Sequence, residues 1–363
     1  MSVSARARTG NTWLSQLFLA GRSGAEAILI LVLALGVAAL AFAAFVAAAG
    51  ANPGEVFYSL YLGAFGTAFS WQNTLQRAAP FMLTALCTAI PARFGLLIIG
   101  NEGALVIGGL AAAILGLLLI EFGALVALSA MALAGATAGG LWIAAVAWLR
   151  QYRGVNETIA SLLMNYLAIA LLLHLVSGPL RDPESLNKPS TAPIGASHML
   201  GQMPGLDVHW GLVYGLVACV LVFVVWRYTT FGFAAQMIGG NPAAARLNGL
   251  PVGRFVLIGA FGAGAAAGLA GMVEVAAVHG RANESLVVGY GYVGILVAFL
   301  ARQNPVLIIP AAILIGGIEA SGGLLQRRFD LPDATVAVLQ GMVFLSILVT
   351  ETLRGRLFRR TTV

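Results

Sequence analysis

The stretch AILILVLALGVAALAFAAFVAAA, from Ala27 to Ala49, holds no charged residue. A bilayer's hydrocarbon core, about 30 Å thick, takes about 20 helical residues to cross, so this segment is expected to span a membrane. It follows a basic segment with Arg6, Arg8 and Arg22. A signal peptide's apolar region is only about 7–15 residues long. The segment is therefore read as an uncleaved first helix, despite the small residues Ala47 to Ala49. Further apolar runs follow at about 74–92, 95–120, 123–149, 157–177, 210–226, 255–278, 286–301, 304–323 and 333–351. Those at 286–301 and 304–323 are short and interrupted by Gly289, Gly291, Asn304, Pro305 and Glu319. The fold expected is all-α: a polytopic transmembrane bundle of about ten helices.

Composition agrees. The 363 residues are 60% hydrophobic and 9% charged, against roughly 25% charged in soluble domains, and the mean hydropathy is +0.92. The 45 glycines suit membrane helices, which approach closely through small residues. Gly135 and Gly139, Gly211 and Gly215, and Gly264 and Gly268 have the spacing of such contacts. Cys87 and Cys219 lie in apolar runs, with neither metal-ligand nor redox spacing.

The net charge of +6 does not imply nucleic acid, because the basic residues lie in short loops between spans. With the N-terminus inside, ten alternating spans place 14 of the 20 basic residues in the cytoplasm, as the positive-inside rule requires. Both termini are then cytoplasmic. The organisation expected is a cytoplasmic tail over 1–25, a transmembrane domain over 26–351 and a basic cytoplasmic tail over 352–363. Residues 178–209 form an outer loop and 227–254 an inner one.

Several activities lack their motifs. A P-loop needs Gly-x-x-x-x-Gly-Lys-Ser/Thr, but the only lysine is Lys188, in the outer loop. His174, His198, His209 and His279 show no metal-ligand spacing, and there is no Gly-x-Ser-x-Gly elbow. No catalytic residue, metal site or enzymatic activity is assigned to these residues.

The inner loop carries GGNPAAARLNGL over residues 239–250. Asn241-Pro242 reads as an N-cap followed by proline at the first helical position. Ala243 to Leu247 reads as one to two helical turns, and Asn248-Gly249 as the stop.

This segment resembles the cytoplasmic coupling segment of ABC-importer permeases for simple sugars, branched-chain amino acids and nucleosides. Further segments look like the nucleoside branch, whose binding proteins are of the basic-membrane-protein class. They are FGLLIIGNEG (94–103), RGVNE (153–157), MNY (164–166), SGPLRDP (177–183), GMVEV (271–275), VHGR (278–281) and GYGY (289–292). The likeness runs in order from about residue 75 to 351. It departs at Asn101, where that branch usually has a small residue, and at Ala104, where it usually has Gln.

The resemblance implies a type II importer-like permease subunit in the bacterial inner membrane. Its implied partners are a second permease subunit, the same or different, an ABC ATPase holding ATP and magnesium, and an extracytoplasmic solute-binding protein. This chain itself is expected to hold no cofactor. The ATPase is expected at Gly240, Asn241, Pro242, Ala243, Ala244, Ala245, Arg246, Leu247 and Gly249. The solute is expected to be a nucleoside, with simple sugars as the alternative. A proton-coupled secondary transporter using Glu102 or Glu274 is the competing class, but it gives the coupling helix no purpose.

Seven residues are candidates for the translocation path: Asn101, Glu102, Asn165, Glu274, His279, Tyr290 and Tyr292. Glu102, about seven residues into an apolar run, costs roughly 2.5–3.5 kcal/mol to insert. Either it lines a cavity at a glycine-broken helix, or a neighbouring helix terminus or Asn101 satisfies it. Asn165 is either a ligand or interhelical glue. Glu274, His279 and Arg281 form either a solvated helix end or a polar vestibule. Tyr290 and Tyr292 either stack on a ring or sit at the membrane interface.

Overall fold

The computed structural model describes residues 12–185, 188–332 and 334–352, with side chains described from residue 29 onward. Most of the expected basic tail at 352–363 and residues 1–11 of the N-terminal tail lie outside the described residues. The chain divides into two compact units.

The first unit holds α1 (Thr12–Ala48) and most of α14 (Ala334–Glu351). On α1, Ile30, Ala34, Ala38, Phe42 and Val46 are buried. Their spacing of four marks one helix face.

The second unit begins with α2 (Pro53–Phe65), α3 (Ala68–Ala92), α4 (Asn101–Leu118), α5 (Ala124–Arg153) and α6 (Glu157–Ser177). It continues through α7 (Gly211–Tyr228), α8 (Thr230–Gly240), α9 (Pro242–Leu247) and α10 (Val252–Val273) to α11 (Tyr290–Leu300), α12 (Pro305–Ala320) and α13 (Gly322–Phe329). Local chemistry sets many boundaries. Asn156 and Asn304 accept backbone N–H bonds as N-caps of α6 and α12. Gly154, at φ +70°, ends α5 in the left-handed conformation that glycine adopts without steric cost.

Helix α10 lies against α3, α4 and α5. Two of the glycine pairs read from sequence face each other there. A Cβ on Gly264 would lie 2.1 Å from the Gly139 carbonyl oxygen, and one on Gly268 would lie 2.0 Å from that of Gly135. Only hydrogen at these positions permits such an approach.

All ten expected spans contain a helix. Among the described residues, eight helices are long and apolar enough to cross a membrane. Of the other two, α3 is long but carries Gln72, Asn73, Gln76 and Arg77, and α11 is short.

Two expectations need correction. The span at 95–120 is not helical from 95: residues 96–99 have no regular secondary structure and α4 starts at Asn101. The inner loop at 227–254 is largely helical, with α8 preceding the expected short helix. Gly232, Ala234, Ala235 and Ile238 of α8 are buried, and Gly239 packs directly on the Arg93 carbonyl.

Candidate functional site

Helix α3 ends at Ala92. Gly95, at φ +77°, then leads the chain into the irregular stretch 96–99. Non-helical backbone within a membrane span must find hydrogen-bond partners within the protein. Helix α6 supplies them from Thr158, Ser161 and Asn165, spaced to share a face. Thr158 Oγ1 donates to the Leu97 carbonyl at 2.8 Å. The Ile99 N–H donates to Ser161 Oγ at 3.0 Å, and Asn165 Nδ2 donates to the Ile99 carbonyl at 2.8 Å. Asn165 Oδ1 accepts the Gly103 N–H at 2.7 Å. Asn165 is thus interhelical glue, fastening the start of α4 to α6.

Glu102 lies in the first turn of α4, not seven residues into a continuous helix, and is fully buried. Its carboxylate accepts the Gly289 N–H at 2.8 Å and the Gly291 N–H at 2.6 Å. These donors belong to the start of α11, so one acidic side chain serves two helix N-termini, each favouring negative charge. A Cβ on Gly291 would lie 2.2 Å from the Glu102 nitrogen. Glycine is therefore required where the two helix ends meet. Asn101 Nδ2 donates to the Thr84 carbonyl at 3.0 Å and to Thr88 Oγ1 at 2.7 Å.

Asn101, Glu102 and Asn165 have no exposed surface. Each of the three joins neighbouring segments through these hydrogen bonds. For Glu102, the neighbouring helix terminus is the partner, because the broken segment brings α4's first turn against α11.

A second polar group gathers where α3 starts, α10 and α12 end, and α11 starts. After α10 the chain widens into a π-helical turn over Glu274–His279, stopped by Gly280 at φ +65°. Such turns are rare and recur at functional sites. Glu274 is buried, with His279 Nε2 3.7 Å from its carboxylate. Arg77 Nη1 lies 3.8 Å from the Glu319 carboxylate. Arg281 Nη1 donates to Ser190 Oγ in the 178–209 segment at 3.3 Å. Glu274 is thus buried at this helix end, while Arg281 is half-buried and tied to the 178–209 segment. Tyr290 packs edge-on against Phe81 at 5.3 Å, whereas Tyr292 is exposed.

The expected short helix is present as α9. Asn241 Oδ1 accepts the N–H groups of Ala243 and Ala244 at 3.0 and 3.1 Å, Pro242 is the first helical residue, and Gly249 has φ +80°. Gly240, Asn241, Pro242, Ala243, Arg246 and Gly249 are exposed, Ala244 is half-buried, and Leu247 is 91% exposed. Ala245 differs from the other residues of the segment. It is buried, turned toward the protein by the helix's pitch, and its carbonyl accepts the Leu250 N–H.

Residues 70–348 match the family described as branched-chain amino acid transport system / permease component. The chain belongs to that permease family. The permease is 30% identical to the glucose ABC transporter permease protein TsgB13 of Haloferax volcanii, over 83% of this chain and 81% of that one. It is 27% identical to the guanosine ABC transporter permease protein NupP of Bacillus subtilis, over 90% of this chain and 93% of that one. It is 25% identical to a nucleoside ABC transporter permease of Lactococcus lactis, over 81% and 84%. The permease is thus a multi-pass transport subunit of the sugar and nucleoside ABC-importer type.

Sequence reasoning passed over Thr84, Thr88, Thr158 and Ser161. The polar stripe Thr158, Ser161, Asn165 in an otherwise apolar helix was the available signal.

Proposed function

We propose that this permease forms the translocation path of an ATP-driven importer for a small polar ring solute, a nucleoside in the first reading. The observation that carries this is the agreement in order and coverage with guanosine and nucleoside permeases. The polar group at one end of the spans supports it. Arg77, Glu274, His279, Tyr290 and Glu319 offer hydroxyl-binding groups, while Tyr292 offers an exposed ring. A simple sugar is the second reading, favoured by the glucose permease relative.

In this reading both termini are cytoplasmic in a bacterial inner membrane. A binding protein delivers solute to the Glu274 end, and a second permease subunit completes the path. An ABC ATPase, with its ATP and magnesium, docks on α9. The test is uptake by vesicles carrying the assembled transporter. Labelled guanosine is expected to enter only with ATP, unaffected by a protonophore. Uptake without nucleotide that collapses with a protonophore would establish secondary transport instead.

The docking claim has its own test. An apolar side chain as exposed as Leu247 suits a contact point, and losing such a contact costs about 2 kcal/mol, or roughly thirtyfold in affinity. Leu247→Asp is expected to weaken co-purification of the ATPase by that order while membrane insertion stays normal. Unchanged ATPase association and transport would place docking elsewhere.

A further inference from the structure

A cleft of about 390 Å³ opens at the arginine-rich end of the spans, where α3 and α7 end and α8 and α12 begin. Arg93, Arg227 and Arg302 line it, together with Gln236 and Gln303, and no lining residue is acidic. A second hollow of about 350 Å³ shares Arg93, Arg302 and both glutamines, and extends to Gly239 and Gly240 beside α9.

Three features give the cleft its chemistry. Arg93 lies 5.3 Å over the Trp226 ring and donates to Gln236 Oε1 at 3.5 Å, so its guanidinium is held at the wall. Thr229 and Asn304, N-caps of α8 and α12, also line the cleft, bringing two helix N-termini whose partial positive charge favours an anion. Arg302 and Gln303 adopt φ of +51° and +59°, a left-handed conformation that is strained for non-glycine residues. Strain of this kind clusters at ligand sites, and here it sits in the turn that brings both residues to the cleft.

We propose that this cleft binds the phosphate group of an anionic phospholipid. Arginine is suited to phosphate because its planar fork offers paired donors. Basic pockets between membrane helices hold such headgroups. A lipid source is favoured over a soluble phosphate by the cleft's rim. Phe233 is 67% exposed and Tyr228, one residue from Arg227 and Thr229, is 73% exposed. Tyrosine is enriched at the membrane–water interface, and the exposed Phe233 ring gives the rim an apolar surface for acyl chains. Because Gln236 of α8 lines the cleft and the adjoining hollow reaches Gly239 and Gly240, an occupied headgroup site would steady α8, the element that carries α9. The inference does not depend on which solute is transported.

The test is native mass spectrometry of the full-length chain with phosphatidylglycerol or phosphatidylcholine added. Phosphatidylglycerol is expected to bind preferentially. Each arginine contributes about 1 kcal/mol, so Arg227→Gln with Arg302→Gln should lower its binding by roughly thirtyfold. The double lysine variant should keep most of it, and Arg254→Gln, outside the cleft, should leave it unchanged. Displacement by excess inorganic phosphate would keep the phosphate site but make its source soluble. Equal lipid occupancy in parent and double glutamine variant overturns the proposal. The arginines would then serve only the C-terminal ends of α3, α7 and α11, or, if ATPase association falls, a protein partner.

Discussion

Glu102→Ala is expected to abolish most of the folded, extractable protein. The substitution removes the acceptor for both the Gly289 and the Gly291 N–H groups, which lie against a residue with no exposed surface. A buried donor left unpaired costs about 1–3 kcal/mol, so two cost about 2–6 kcal/mol, against a typical total stability of about 5–15 kcal/mol. The loss also uncovers two adjacent helix N-termini, α4's and α11's, previously served by one carboxylate. Glu102→Gln should rescue little, because one carboxamide face accepts while the other presents its own N–H groups to a backbone donor. Thermal unfolding followed by size-exclusion chromatography reads the effect. A parent-like profile for Glu102→Ala would show that the two helix ends do not depend on this carboxylate and would reopen a path-lining role.

Gly268→Ala is expected to be comparably severe, although it adds a single methyl group. The new Cβ would lie 2.0 Å from the Gly135 carbonyl oxygen and 3.2 Å from the Gly139 Cα. Overpacking typically costs about 1–3 kcal/mol when side chains can shift. Here the obstacle is backbone, so α5 and α10 must separate along the seam where Gly264 and Gly139 also meet. Gly262→Ala on the same helix is the control: nothing lies within 4 Å of its added Cβ. It should be neutral or slightly stabilising, since alanine favours helix over glycine by about 1 kcal/mol. Yield and protease resistance of the two variants side by side give the answer. Equal resistance would mean the helices have room the packing denies.

The helices were legible because what makes them is local. Apolar length marks a span, and the residues that cap α9, Asn241-Pro242 at one end and Asn248-Gly249 at the other, lie within the segment they cap. The spacing of Gly135, Gly139, Gly264 and Gly268 announced close packing, but not that the two pairs would face each other. Helix α8 escaped notice because it is short and lies in a stretch read as loop.

What the sequence by itself determined is an all-helical membrane protein, its spans, its short capped helix and the family its motifs resemble. Only the tertiary structure decided what the buried polar residues do. Glu102 finds its partners 187 and 189 residues away, Asn165 serves backbone 62 and 66 residues before it, and the three cleft arginines come from three separate segments. Hydropathy registers the cost of placing such a group in an apolar run. The compensating hydrogen bond exists only once packing has chosen which helix end arrives beside it.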